Sequence, residues 1–307
     1  MKKDLLSIYD LSRPDIDEIF QRTSCLKEAL KKGNVCHTLA GKTLGMIFDK
    51  ASTRTRISFE VGMYQLGGLA TFLSSRDTQL DRGESIADTA RIMSRYLNGV
   101  MIRTYKQQKV EEFAAYATIP VINGLTDLLH PCQILSDLFT IRENRGAYEG
   151  LTVAYVGDGN NIANSWINAA VRLPFNLSLA CPEGYAPDSL ILERGRAEAA
   201  GRIRVYRDPF DAVCNADVVY TDVWASMGQE AEREERAKAF RAYQVNRELM
   251  AHAKDEALFM HCLPAHRGEE ITAEVIDGEH SVIMDQAENR LHVQKAILEI
   301  LLKDGGN

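Results

Sequence analysis

A chain of 307 residues, 45% hydrophobic and 26% charged, is long enough to bury two cores rather than one. Its formal charge of −7 excludes a nucleic-acid surface, so any site for an anion must be a local basic pocket. The six cysteines (Cys25, Cys36, Cys132, Cys181, Cys214, Cys262) form no C-x-x-C pair and no long apolar run is present, which points to free thiols in a cytoplasmic protein with neither signal peptide nor membrane span.

Helical periodicity runs from Pro14 to Lys32, with Gly33 just past the end. Short apolar runs then alternate with helical stretches: strands at 43–48, 70–74, 99–103 and 118–122, helices near 53–66, 85–97 and 109–116. This alternation predicts a parallel sheet with helices on both faces. A helix from about Cys132 to Asn144 leads into the break Arg145-Gly146-Ala147-Tyr148-Glu149-Gly150. Beyond it the pattern resumes, with strands at 151–156, 177–181, 203–206, 217–221, 257–260 and 281–284. An amphipathic helix at about 287–302 carries Val293, Ile297, Ile300 and Leu301 on one face. The expected fold class is α/β, two similar domains, each a parallel sheet flanked by helices, joined by interdomain helices. Residues 1–146 make the first domain, with the final helix 287–303 packing back on it, and residues 147–286 make the second.

Parallel sheets place their ligands at the carboxyl ends of the strands. The stretch Phe48-Asp49-Lys50-Ala51-Ser52-Thr53-Arg54-Thr55-Arg56 ends an apolar strand in hydroxyl and guanidinium groups where a helix begins. Unbonded N–H groups and the helix dipole at such a turn hold an anion. Ser52, Thr53 and Thr55 add neutral donors, and the planar fork of Arg54 matches phosphate oxygens. The plainer reading is a capped helix with surface arginines. It is not the nucleotide-binding loop, because no Gly-Lys-Ser/Thr follows a run of glycines. Arg56, on a different helix face from Arg54, is assigned to structural pairing.

Other strand ends add to this. Met101-Ile102-Arg103-Thr104 ends in an arginine, and Ile122-Asn123-Gly124 leads on to His130-Pro131-Cys132-Gln133. Alone, such an arginine is ordinarily a solvated end and such a histidine a cap or packed ring. Together with Ser52–Thr55 they can grip an anion, polarise a carbonyl and orient an amide nitrogen. The second half contributes Gly157-Asp158-Gly159-Asn160-Asn161, Thr221-Asp222-Val223-Trp224-Ala225-Ser226-Met227-Gly228 and His261-Cys262-Leu263-Pro264. Asp222 suits an ammonium group, or else caps the next segment. Cys262 reads by default as a small buried hydrophobe. His261, Cys262 and His266 fit no common zinc spacing, so no metal is expected. The glycine turn after 151–156, with Glu183 past the next strand, raises an NAD-binding dehydrogenase as a remote alternative. Ile162 replaces the third glycine, however, and Asn160-Asn161 would crowd a pyrophosphate.

Taken in order, Ser52-Thr53-Arg54-Thr55-Arg56, His130-Pro131-Cys132-Gln133, Asp222 with Ser226-Met227-Gly228, and His261-Cys262-Leu263-Pro264 resemble the signatures of the ornithine carbamoyltransferase family. The likeness runs from the first helix to the last. It implies transfer of the carbamoyl group of carbamoyl phosphate to the δ-amine of L-ornithine, giving L-citrulline and phosphate in arginine metabolism, with no cofactor. It further implies that Ser52, Thr53, Arg54, Thr55 and Arg103 bind the phosphate, with Gln79 reaching in from a neighbouring subunit. Thr55, Arg103 and His130 would polarise the carbonyl, Gln133 and the Leu263 backbone would hold the carbamoyl nitrogen, and Pro131, Cys132 and Arg290 would complete that site. Asn161, Asp222, Ser226 and Met227 would hold the α-amino and α-carboxylate groups of ornithine, with Cys262 near the attacking amine. The family is trimeric with sites at subunit interfaces. Its loop equivalent to 225–240, by default a solvated charged helix, closes over ornithine, with Gly228 as a hinge. Ala51 and Asp81 depart from the commonest family pattern, the latter beside Gln79. Carbamoyltransferases acting on putrescine or an acylated ornithine are the nearer alternatives. Aspartate as acceptor would need cations for a second carboxylate, where this chain has Asp222.

Overall fold

In the computed structural model, which describes residues 4–74, 83–225 and 230–303, the first helix, α1 (Arg13–Lys31), starts where Ser12 and Asp15 cap each other's backbone N–H groups. Strand and helix then alternate as β1 (Thr43–Phe48), α2 (Thr53–Gln65), β2 (Leu69–Ser74), α3 (Ile86–Tyr96), β3 (Gly99–Arg103), α4 (Gln107–Tyr116), β4 (Val121–Leu125) and α5 (Pro131–Arg145). The second run is β5 (Thr152–Val156), α6 (Asn161–Arg172), β6 (Asn176–Ala180), α7 (Ser189–Glu198), β7 (Ile203–Tyr206), α8 (Pro209–Val213) and β8 (Val218–Thr221). It continues through α9 (Arg233–Phe240), α10 (Arg247–Met250), β9 (Leu258–His261) and α11 (Ala273–Ile276) to α12 (Ile283–Lys303). Side-chain oxygens of Ser52, Ser85, Asn160, Asp188 and Asp208 cap the starts of α2, α3, α6, α7 and α8 and fix these boundaries.

The fold is α/β, with two wholly parallel sheets of order β2-β1-β3-β4 and β7-β6-β5-β8-β9. The chain divides into two compact units, Met1–Ser136 with Asn289–Asn307, and Asp137–Glu288, so both divisions fall inside helices, α5 and α12. Ile47, Val100, Ile102, Val110, Phe113 and Val121 form a core of the first unit. Val156, Val219, Leu249, Phe259 and Ile271 belong to one in the second. Strand order reverses between β1 and β3 in one sheet and between β5 and β8 in the other. At such a reversal the connections leave in opposite directions and a crevice opens at the carboxyl ends.

Two expected strands are corrected. The run 118–122 pairs only from Val121 onward, because Pro120 has no N–H to give the ladder; the strand is shifted to Val121–Leu125. The run 281–284 is not a strand. Ser281 forms one isolated bridge with Phe259, and Ile283 already begins α12, so these apolar residues pack as a helix face. Among the described residues no helix is long and apolar enough to cross a membrane.

Candidate active site

In the first unit the anion turn is built as a capped helix start. Ser52 is the N-cap of α2 and its hydroxyl accepts the Thr55 N–H at 3.2 Å; Thr53 is the first helical residue. Thr55 is buried, and its hydroxyl accepts from Arg290 Nη2 at 2.8 Å and lies 3.5 Å from Arg103 Nη1. Arg290, which α12 contributes, also donates through Nη1 to Gln133 Oε1. One threonine hydroxyl thereby gathers residues from β3 and α12 at the start of α2. His130, buried just before α5, has its pKa pushed well below the usual histidine value, first by burial and then by the charges of Arg290, Arg103 and Arg54. Its imidazole is therefore neutral at physiological pH and offers one N–H donor. Pro131 opens α5. The Cys132 thiol turns into the core toward the Asn123 carbonyl at 3.5 Å, and burial pushes its pKa to about 12.

The turns that carry these groups are strapped together by residues the sequence reading passed over. Asp49, at the end of β1, accepts from the Thr104 hydroxyl and from Lys109 Nζ, the latter at 2.7 Å. Lys50 pairs with Asp127 in the turn before His130, and its ammonium sits 4.4 Å from the centre of the Tyr105 ring. The Asp127 N–H donates to the Tyr105 carbonyl at 2.8 Å. The ends of β1, β3 and β4 are thus held as one piece. Arg56 faces elsewhere: it pairs with Glu60 at 3.0 Å and stacks over Phe72 at 4.0 Å.

In the second unit Asp222 stands just past β8, and Cys262 just past β9. Asp222 Oδ1 accepts from the Cys262 thiol at 3.0 Å and from the Val223 N–H at 2.8 Å, while Oδ2 accepts from Asn160 Nδ2 at 2.8 Å. Behind Cys262, His261 Nδ1 accepts the Leu263 N–H at 2.9 Å, which places the ring proton on Nε2, 3.2 Å from the buried Glu270. Burial pushes the Glu270 carboxyl up, but hydrogen bonds from His261 and the His266 backbone outweigh it and hold its pKa below the usual carboxylate value. Leu263 is held at φ +59, a left-handed conformation that a branched residue adopts only where its surroundings enforce it. Asp222, His261 and Cys262 bring acid, imidazole and thiol atoms within 4.8 Å of one another, and all three are already engaged by protein partners. Asn161 is the first residue of α6. Gln79, Asp81, Ser226, Met227 and Gly228 lie outside the described residues.

The glycine turn after β5 does not make a dinucleotide cradle. A Cβ on Gly159 would come within 2.2 Å of Pro187 N and 2.3 Å of the Ala186 carbonyl carbon, so the space above the turn belongs to the chain itself. No feature of this turn supports the dehydrogenase alternative, because the glycine is required by the chain's own packing.

Asp158 of the same turn forms a buried ion pair with Arg236 of α9 at 2.9 Å, and the guanidinium lies 4.8 Å from the centre of the Tyr185 ring. Burial pushes the Asp158 carboxyl up to about 7 against the pull of Arg236. Removing one partner of a buried pair costs about 3 kcal/mol or more. In Arg236→Met the orphaned carboxyl takes up a proton in the folded chain at a pH where the unfolded chain has released it. Stability is therefore lost as pH rises through that window. The cost is expected to be small at pH 5 and to approach the full value near pH 9. Both tryptophans, Trp166 and Trp224, belong to the second unit, so urea unfolding followed by their fluorescence reads this unit alone. An equal loss at both pH values would contradict it.

Comparison with known proteins follows the same division. Residues 3–143 match the family described as aspartate/ornithine carbamoyltransferase, carbamoyl-P binding domain, and residues 149–301 match its Asp/Orn binding domain. The chain is 72% identical over 302 residues to an ornithine carbamoyltransferase of Syntrophus aciditrophicus, covering 98% of this chain and 100% of that one. It is 57% identical over 303 residues to one of Carboxydothermus hydrogenoformans, covering 98% and 97%. The solved structure of the Pyrococcus furiosus enzyme of that name superposes with a TM-score of 0.94 at 53% identity, covering 98% of this chain and 97% of that one. With both halves matched, in order and over almost its whole length, this chain belongs to the aspartate/ornithine carbamoyltransferase family.

Proposed function

We propose that this chain is an ornithine carbamoyltransferase, moving the carbamoyl group of carbamoyl phosphate to the δ-amine of L-ornithine to give L-citrulline and phosphate. The observation that carries the reading is the convergence on Thr55 of Arg103 and Arg290, with Gln133 held by Arg290. A phosphate-binding protein would need the cations alone; a carboxamide and a neutral imidazole beside them suit an attached carbamoyl group.

In this reading Ser52, Thr53, Arg54, Thr55 and Arg103 take the phosphate. Thr55, Arg103 and His130 donate to the carbonyl oxygen as negative charge builds there. Gln133 accepts from the carbamoyl nitrogen. Asp222 and Asn161 hold the α-ammonium and α-carboxylate groups of ornithine. The δ-ammonium, with an ordinary pKa near 10.4, must lose a proton before its nitrogen attacks. The new C–N bond then forms, the C–O bond to phosphate breaks, and the departing phosphate carries off the electron pair and takes the second proton of the attacking nitrogen. Asp222 and Cys262, 3.0 Å apart, stand ready to relay the released proton.

A homotrimer is the assembly we assign. Support comes from α2 and the edge strand β2, which expose Ile57, Tyr64, Leu69 and Phe72, an apolar face that a second copy would cover. All six cysteines are free thiols, which fits a reducing cytoplasm.

A colorimetric citrulline assay with ornithine, acetylornithine, putrescine and aspartate as competing acceptors tests the reading, ornithine being the expected substrate. Arg54→Ala should raise the KM for carbamoyl phosphate about a hundredfold, as loss of a charge-assisted bond implies, and leave that for ornithine within a few-fold. Equal rises in both would count against the assignment.

A further inference from the structure

Asn160 has two jobs in the structure, only one of which is structural. Its Oδ1 caps α6 by accepting the Ile162 N–H at 2.9 Å, and the Tyr155 hydroxyl lies 3.3 Å from the same oxygen. Those contacts fix the amide so that Nδ2 points the other way, at Asp222 Oδ2, 2.8 Å distant. The two residues meet because β5 and β8 are neighbours at the strand reversal, paired in register up to Val156 and Thr221.

We infer that Asn160 is a positioning residue for Asp222, holding one carboxylate oxygen so that the other is fixed toward the Cys262 thiol and the Val223 N–H. This inference rests on the proposed function, in which Asp222 receives the ammonium end of ornithine. Asn160 serves that role as a neutral donor. The turn already brings Asp158 near, and Asp158, Tyr155, Tyr220, Cys262 and His261 are the titratable groups gathered around Asp222, while Arg236 pairs with Asp158 and Glu232. A carboxamide stabilises the carboxylate without adding charge to this set. It also leaves ornithine's ammonium as the cation that Asp222 has yet to meet.

The cap and the grip can be separated by substitution. Aspartate caps a helix as well as asparagine does, whereas alanine does not. Asn160→Asp therefore keeps the structural job and replaces the donor to Asp222 with a second negative group; Asn160→Ala loses both jobs but adds no charge. With wild type, Asn160→Ala and Asn160→Asp assayed side by side, a positioning role predicts that kcat/KM for ornithine falls about tenfold in Asn160→Ala and about a hundredfold or more in Asn160→Asp. The KM for carbamoyl phosphate should stay within twofold of wild type in both. A purely structural role predicts the opposite order, with Asn160→Asp as active as wild type and Asn160→Ala impaired, and that outcome would overturn the inference. Absence of citrulline formation by the wild-type protein would instead overturn the function on which it rests.

Discussion

Replacing Arg103 by methionine is expected to lower kcat/KM for carbamoyl phosphate by about two to three orders of magnitude, while the unliganded protein becomes no less stable. The first half follows from position. Arg103 is buried at the end of β3 with its guanidinium on Thr55, and a fixed donor to a developing oxyanion is worth about that much. The second half follows from charge. Arg54, Arg103 and Arg290 all press on the pKa of His130, and without ligand they also repel one another. Removing one relieves that repulsion, and a site built for an anion gives up stability to hold its cations together. The test is a melting curve with and without inorganic phosphate. Phosphate should raise the melting temperature of wild type as binding to the folded state requires, and should have far less effect on Arg103→Met. A variant that loses stability without ligand yet keeps its phosphate shift would show that Arg103 is a core residue and no part of the site.

The next largest effect is expected at Asp222. Asp222→Asn keeps the shape of the side chain but removes the charge proposed to meet the ammonium end of ornithine. It also sets an amide N–H₂ group or a neutral oxygen against donors that now face a carboxylate, namely Asn160 Nδ2, the Val223 N–H and the Cys262 thiol. Truncating one partner of a desolvated charged pair costs about 2–5 kcal/mol, so kcat/KM for ornithine should fall by roughly 30- to several thousand-fold. The KM for carbamoyl phosphate should be unchanged, because its proposed ligands in the first unit are untouched. Steady-state kinetics with each substrate varied in turn separates the two. A parallel loss for both substrates would place Asp222 in the scaffold rather than in the ornithine subsite.

How much of this was legible in the chain depends on what each residue needs from its surroundings. Ser52 to Thr55, Arg103, His130 and Asp222 could be found because a parallel sheet sends strand ends to one edge, and the strand ends follow from apolar runs. The two misplaced strands failed for local reasons: Pro120 delays the ladder, and the Val282-Ile283 pair fits a helix face as readily as a strand. Arg290 came only with the family likeness, since an arginine inside a helical run gives no sign that it turns toward Thr55. Asn160 was read as an obstacle to a pyrophosphate. Its partner lies 62 residues away on a strand that becomes a neighbour only once β6 and β7 have been placed on the far side of β5. The pairs Lys50 with Asp127 and Asp158 with Arg236 were invisible for the same reason. Charges scattered along a sequence look solvated until the turns that carry them are brought together.

The close packing at Gly159 sets a limit on redesign. The strand order and the glycine turn of the second unit would tempt an engineer to graft nucleotide recognition onto this scaffold. Residues 185–187 pack directly against Gly159, however, and Tyr185 in that segment flanks both Arg236 and Phe240. Clearing the turn would remove the aromatic contacts that Tyr185 makes with α9. Any change at Gly159 is therefore felt first by the packing of α9.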